Sequence, residues 1–547
     1  METAGFGMSR GTVWEGPLAP GRTLRPMAER LPPPRLIGLF LGPALAAILY
    51  FTLPAASESG GPGLSHAGRM TVALGAWLAA WWITEAIAIE AAALLPLALF
   101  PLAGVATMKD AARPYADEVV FLFLGGMLLG SALERWNLHR RLALRVMLLL
   151  GASPARLVGG LMLATAVISM WVSNTAAAVM MLPIGVGIVQ LAHTHHEADG
   201  ASQADRPARN FAIAAMLAIA QGASIGGVAT IIGSPPNGVT VAFVARTFGD
   251  APTFAEWALV GVPVMLVVLP AAWALLLLIF PVRGLRSGGA HGYLADELRT
   301  LGPITRPELT LITVFGLAAA AWIFREPLAH LVGLTRTDAA GKTTLLLTDA
   351  GIAILASLIL FLVPVGGGRF ALDWNTAGKI PWGILLLFGG GLSLAAAVEA
   401  NGVDDFLAGL FGGLTGAPTV VVLAVFVLAS IFLSEVGSNT AVATVLLPVV
   451  AGAAVKLGVP PEGACMCVGL GVSLAFMMPC GTPPNALVFT SGHLRVADMV
   501  KSGVLLNLAC AVIVTIAALF LVPAAWDIAP PTSAQSVEAE KPNVPIQ

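Results

Sequence analysis

Eleven stretches of this chain are apolar over close to the length a helix needs to cross a lipid bilayer, about 20 residues. They run roughly over 36–53, 71–87, 88–104, 118–134, 211–245, 256–281, 308–324, 350–365, 382–399, 463–490 and 503–523. A chain with so many such runs has lipid as its solvent. Lipid leaves backbone polar groups nothing to bond to, so each run must satisfy its own as a helix. Charge agrees: 11% of residues are charged, against about 25% in soluble domains. The expectation is an all-α polytopic membrane protein.

Two further apolar regions break the rule. Leu157 to Leu191 is too long for one span and is cut in its middle by Ser173-Asn174-Thr175. Neither arm crosses alone, so a re-entrant helical hairpin is expected, entering and leaving on one face. Irregular backbone survives at membrane depth only where protein or a water-filled cavity surrounds it. Pro418 to Lys456 repeats the layout around Ser438-Asn439-Thr440, with a first arm that reads longer.

With the N-terminus inside and both hairpins re-entrant, Lys and Arg divide 20 inside to 9 outside. The positive-inside rule favours that orientation, with the C-terminus outside. Residues 1–35 are rich in Arg and Pro, and the first apolar run lacks a small-residue cleavage site. They read as a cytoplasmic tail rather than a signal peptide. Residues 524–547, rich in Pro, Ser and Glu, read as a disordered tail. A net charge of −2 gives no footprint for nucleic acid. Cys465, Cys467, Cys480 and Cys510 sit in apolar segments without zinc spacing and read as small membrane-helix residues.

The two halves repeat. Ser173-Asn-Thr-Ala-Ala-Ala-Val-Met-Met-Leu-Pro183 and Ser438-Asn-Thr-Ala-Val-Ala-Thr-Val-Leu-Leu-Pro448 agree at seven of eleven positions, offset by 265. Gly125-Gly126 and Glu134 match Gly390-Gly391 and Glu399 at the same offset, and Gly233-Ser-Pro-Pro-Asn237 matches Gly481-Thr-Pro-Pro-Asn485. Each repeat holds five spans and one hairpin. Five is odd, so the second copy starts on the opposite face and the repeats are inverted. Inverted repeats with broken helices at matching positions mark secondary transporters, with the site at the midplane between them.

The repeated blocks suit an anion beside cations. Ser, Asn and Thr bond readily to backbone and interrupt helices. Helix N-termini at the tips attract anions, and Asn amides and Thr hydroxyls donate to carboxylate oxygens. A Pro-Pro pair should unwind its helix, freeing carbonyls at Gly233 and Gly481. One turn before each tip lies a further hydroxyl, Ser169 and Ser434. A Ser hydroxyl, an Asn oxygen and freed carbonyls form an all-oxygen cage for a hard cation. Neither motif contains Arg or Lys.

From about residue 36 to 523 these blocks resemble the divalent anion/sodium symporter family, the dicarboxylate transporters. The resemblance implies that Ser173, Asn174, Thr175, Ser438, Asn439 and Thr440 touch substrate, with Pro235 and Pro483 lining the pocket. It implies two sodium sites, one from Ser169, Ser173, Asn174 and Gly233, the other from Ser434, Gly437, Asn439 and Gly481. Two or more sodium ions, no organic cofactor, a homodimer and an elevator mechanism are also implied. The parts would be scaffold at 36–156 and 283–404, and transport units at 157–282 and 405–523. Ser234 stands where many members carry Thr, and Cys480 precedes the second break.

Intramembrane acids are functional suspects by default. Glu435, three residues before the second tip, could tune a cation site, carry a proton or pair with the scaffold. Glu134 reads as a span end. His193, His195 and His196 read as part of a solvated cytoplasmic loop, and the Gly-Gly pairs as close helix contacts. Trp81, Trp82 and Trp382 suit interfacial belts. The leading expectation is sodium-driven uptake of succinate, fumarate or malate through a bacterial inner membrane. A sodium-independent exchanger and citrate, sulfate or arsenite-type transport are the alternatives. No catalytic or Walker motif supports an enzyme or an ATP-driven pump, and no repeated ring of acids supports a channel.

Overall fold

The computed structural model describes residues 33–56, 63–198, 206–249, 252–285, 289–337, 343–404, 406 and 416–526. Most of both expected tails lies outside these residues. Among the described residues the chain is mostly helical; its only paired strands are two small ribbons, Thr335–Thr337 with Thr343–Leu345 and Pro364–Gly366 with Arg369–Phe370, beside one isolated bridge between Ala55 and Leu64. Nine of the helices there are long and apolar enough to cross a bilayer by length and composition.

The apolar stretches form helices where their patterns place them. Pro33–Thr52, His66–Thr84, Glu118–Arg135, Phe254–Ile279, Arg306–Ile323, Asp349–Leu362, Gly383–Ala400 and Val496–Ala525 are continuous. The stretch at 88–104 is interrupted between Ile89–Ala92 and Leu95–Leu102. Local signals start several of them. Asp117 accepts from Val119 N at the start of Glu118–Arg135, and Thr253 and Thr305 close capping boxes with Glu256 and Glu308. Phe51, Leu278 and Phe520 are 81%, 77% and 69% exposed. Such surface needs a lipid cover. By contrast, Arg206–Gly227 is buried at every position from Phe211 onward, so this helix runs inside the bundle.

Each Ser-Asn-Thr motif sits in a helix–turn–helix unit. Pro154–Ser169 and Asn174–Ala198 form hairpin 1; Thr419–Ser434 and Asn439–Leu457 form hairpin 2. Both entry arms have 16 residues, at the offset of 265. The longer first arm expected for hairpin 2 is therefore not seen. Pro418 and Ser153 stand just before the two arms and start them at equivalent places.

The Pro-Pro pairs act differently from the expectation. The first helix of each broken pair stops before them, at Gly227 and at Ser473. The prolines then open new helices, Pro235–Phe248 and Pro483–Phe489. Pro has no N–H to leave unpaired at the first helical position, so it starts a helix well. The unwound backbone, 228–234 in break 1 and 474–482 in break 2, thus precedes the prolines.

Two amphipathic helices, Leu138–Leu150 and Ala290–Thr300, occupy segments whose arginines read as loop. Buried Arg141 explains the first. Its guanidinium donates to Glu308 at 2.7 Å and to the Gly302 and Leu301 carbonyls, tying the helix to the start of Arg306–Ile323. Trp82 also differs from expectation. It is fully buried and donates to the Ile89 carbonyl, so it belongs to the core rather than to an interfacial belt. It lies in a smaller apolar cluster with Leu74, Leu78, Phe100 and Leu394, while a larger cluster runs through both hairpins and both breaks.

Candidate functional site

At the first tip, Ser169 ends the entry arm and Asn174 begins the exit arm. The Ser169 hydroxyl lies 2.8 Å from Asn174 Oδ1 and 2.7 Å from the Ala223 carbonyl. The same end of the Asn174 amide is 3.2 Å from both the Ala223 and the Gly233 carbonyls. One hydroxyl proton cannot serve all these oxygens. Either the amide turns so that its NH2 donates to the two carbonyls, or a cation sits among the oxygens. Both readings place Ser169, Asn174 and the break 1 backbone around one point.

The second tip repeats this chemistry. The Ser434 hydroxyl lies 2.6 Å from Asn439 Oδ1 and 2.7 Å from the Val472 carbonyl. Ser434 is fully buried, as is Ser169. Gly437 and Gly481 are not hydrogen-bonded to this pair among the described residues. Gly437 N donates to Leu433 O within the turn, and Gly481 lies beside the Glu435 carboxylate.

The asparagines of the Pro-Pro-Asn blocks tie the unwound backbone, a role the motif spacing did not disclose. Asn237 donates to the Gly227 and Thr230 carbonyls, both at 2.8 Å. Asn485 donates to Ala475 and Met478 at 3.4 and 3.1 Å. The acceptors are equivalent at an offset of 248, so the two breaks share one internal design. Thr230 also donates to the Met170 carbonyl, fastening break 1 to the first tip.

The half-sites interlock. Pro235–Phe248 packs against the exit arm of hairpin 2, and Pro483–Phe489 packs against the exit arm of hairpin 1. Ser234 of break 1 and Ser473 at the edge of break 2 approach to 3.3 Å through their buried hydroxyls. Both exit arms begin at their asparagine, so their first N–H groups lack helical acceptors and present partial positive charge. Ser173 accepts from Ala176 N as a local cap. Ser173, Asn174, Ser438, Asn439 and Pro235 are half-buried, Thr175 and Pro483 are exposed, and Thr440 is buried. Apart from Thr440, the residues expected to meet substrate therefore keep accessible surface, while Ser169 and Ser434, expected to hold cations alone, do not.

Glu435, a suspect with three possible roles, is buried and bonded to backbone of break 2. The carbonyls of Ala223 and Val472 had no sequence signal, because a backbone oxygen on an apolar residue leaves none. His193 packs edge-on against His493 with ring centres 6.4 Å apart; the side chains of His195 and His196 lie outside the described residues.

Helices fit for a membrane around two matched breaks define an integral membrane transporter. Residues 41–526 match the family model of the sodium:sulfate symporter transmembrane region. The chain belongs to this family. It is 37% identical over 494 residues to the sodium-dependent dicarboxylate transporter SdcS of Staphylococcus aureus, covering 89% of this chain and 91% of that relative. SdcS of Staphylococcus saprophyticus is 36% identical over 493 residues, covering 89% and 92%. Among solved structures, the YdaH transporter of Alcanivorax borkumensis has a TM-score of 0.52 at 17% identity, covering 89% of this chain and 98% of its own. MtrF of Neisseria gonorrhoeae, described with a class of antimetabolite efflux pumps, has 0.53 at 13%, covering 90% and 95%. At such identities these two speak for the fold alone.

Proposed function

We propose that this protein imports a C4-dicarboxylate, such as succinate, fumarate or malate, driven by sodium ions. The observation that carries this reading is the matched pair of polar clusters: Ser169 and the Asn174 amide with the Ala223 and Gly233 carbonyls, and Ser434 and Asn439 with the Val472 carbonyl. Oxygens packed this closely suit a hard cation, and a cation beside each tip supplies the positive charge that the motifs lack. Ser173, Asn174 and Thr175 with Ser438, Asn439 and Thr440 bind the dianion, assisted by the exit-arm N-termini, with Pro235 and Pro483 lining the pocket. Sodium is held by Ser169, Ser173, Asn174 and Gly233 in one half and by Ser434, Gly437, Asn439 and Gly481 in the other, two or more ions in all. The sodium-dependent dicarboxylate relatives support this choice of ions and substrate.

Transport proceeds by an elevator motion of 157–282 with 405–523 against a scaffold of 36–156 with 283–404, in a homodimer of inverted repeats. The Gly-Gly pairs support this division. A Cβ on Gly125 or Gly390 would strike scaffold backbone at Ala353 or Ala93, whereas one on Gly126 or Gly391 would meet Ile232 of break 1 or Thr444 of hairpin 2. The first glycine of each pair thus packs within the scaffold, and the second faces the moving unit. The protein sits in a bacterial inner membrane with its N-terminus cytoplasmic and its C-terminus outside.

The family's sulfate-symporter name favours sulfate as the second reading. A thermal-shift screen separates them, because ligands that bind the folded state raise its apparent stability. Succinate, fumarate or malate should stabilise the purified protein only with sodium present. Stabilisation by sulfate and not by dicarboxylates would reverse the choice.

A further inference from the structure

The half-sites differ in charge at the position directly after the entry arm. Where hairpin 1 carries Met170, hairpin 2 carries Glu435, each directly after the entry arm. Glu435 is 3% exposed. Its Oε1 accepts from Phe476 N at 2.7 Å, Met477 N at 2.8 Å and Asn507 Nδ2 at 2.7 Å, and its Oε2 accepts from Met478 N at 2.9 Å. Asn507, fully buried in the last long helix, also accepts from Phe476 N through Oδ1 at 3.2 Å. Three successive N–H groups of break 2 therefore converge on one carboxylate, in the manner of a backbone nest around an anion. Among the described residues, no Arg or Lys forms an ion pair with it.

Break 1 does without such a group. Ala229 N bonds Gly226 O, and Gly233 N bonds Thr230 O. Break 2 is longer, nine residues without a helix against seven in break 1, of which Ile231–Gly233 form a 3-10 turn, and its extra backbone donors need an acceptor at membrane depth. The carboxylate also stands next to Gly481: a Cβ there would be 3.0 Å from Glu435 Oε2. None of Ser169, Asn174 and Gly233 carries a formal charge.

We infer that Glu435 and Asn507 form a clamp that fixes the backbone of break 2 for cation capture and makes the second cation site the tighter one, filled first. With Oε1 already taken by three donors, Glu435 is a positioning residue, acting through the break 2 backbone and through its charge. The inference rests on the sodium-coupled reading above.

The test is sodium-induced thermal stabilisation of the purified full-length protein without substrate, paired with sodium activation of uptake. Glu435→Gln removes the charge and sets an NH2 against backbone donors. It should raise the half-saturating sodium concentration by roughly tenfold or more, with the dicarboxylate KM at saturating sodium nearly unchanged. Glu435→Asp, which keeps the charge, should recover part of the loss. Asn174→Ala, in the other half-site, should keep the stabilisation seen at low sodium. A Glu435→Gln protein with wild-type sodium dependence overturns the clamp. So does low-sodium stabilisation lost in Asn174→Ala but kept in Glu435→Gln. If Glu435→Gln does not fold, Asn507→Ala decides: a rise of roughly threefold or more is expected from its two lost hydrogen bonds, to Glu435 and from Phe476 N, and no rise overturns the inference. A wild-type protein indifferent to sodium would instead overturn the coupled reading itself, and the clamp with it.

Discussion

Asn174 and Asn439 each meet a fully buried serine that reaches the helix leading into a break, at the Ala223 and Val472 carbonyls. Asn174→Ala and Asn439→Ala should each cut uptake at least tenfold while folded protein still reaches the membrane, because the residues before the exit arms, Ser173 and Ser438, are kept and Ala is a good helix former at the first helical position. Uptake assays with size-exclusion profiles would check this. Gly227 gives a subtler test. A Cβ there would collide with Asn174 Oδ1, so Gly227→Ala should displace the amide and raise the sodium requirement without touching any tip residue. An unchanged sodium titration would place the amide outside the cation site. At this scale the sequence disclosed the side chains and hid the backbone. Ser169, Asn174, Ser434 and Asn439 stood out by repetition. Ala223 and Val472 contribute only carbonyls, and their identity says nothing of where those point.

Helices, hairpins and breaks were largely legible, because apolar length and helix-breaking polar clusters act over many residues. The two arginine-bearing amphipathic helices were not, since Arg141 looks like a loop charge until Glu308 and two carbonyls are seen to meet it. The prolines were read as the cause of unwinding, but they start the next helix. The backbone upstream is held open by Asn237 and Asn485, whose effect depends on carbonyls 7 and 10 residues away. One contact between elements also makes a pH prediction. His493 lies in the loop after Pro483–Phe489, against His193 of the hairpin 1 exit arm. Burial first, and then the His193 ring, push the His493 imidazole below its ordinary value. The fold therefore favours neutral His493. The stability it gives is complete above the unfolded value of about 6.5 and is lost as pH falls through the lower folded value. Thermal stability should drop as pH falls through and below about 6.5, and His493→Gln should flatten that slope. An identical slope in the variant would remove His493 from the pH response.

Across the whole molecule, the repeat turns one local design into two interlocked half-sites. Each half-helix after a break packs on the opposite hairpin, so neither half-site is complete alone. On the proposed reading, this arrangement couples cations to the anion by simple electrostatics. A dianion placed between two tips without Arg or Lys depends on the cations for its positive charge, and each cation gains from the dianion. Binding should therefore be reciprocal, with sodium raising dicarboxylate affinity and dicarboxylate raising sodium affinity by the same factor. The most direct measurement is uptake of labelled succinate by proteoliposomes of the purified protein, with and without an inward sodium gradient. Saturable uptake that depends on sodium is predicted. Equal uptake without sodium, or flux that rises linearly with succinate and never saturates, would contradict it.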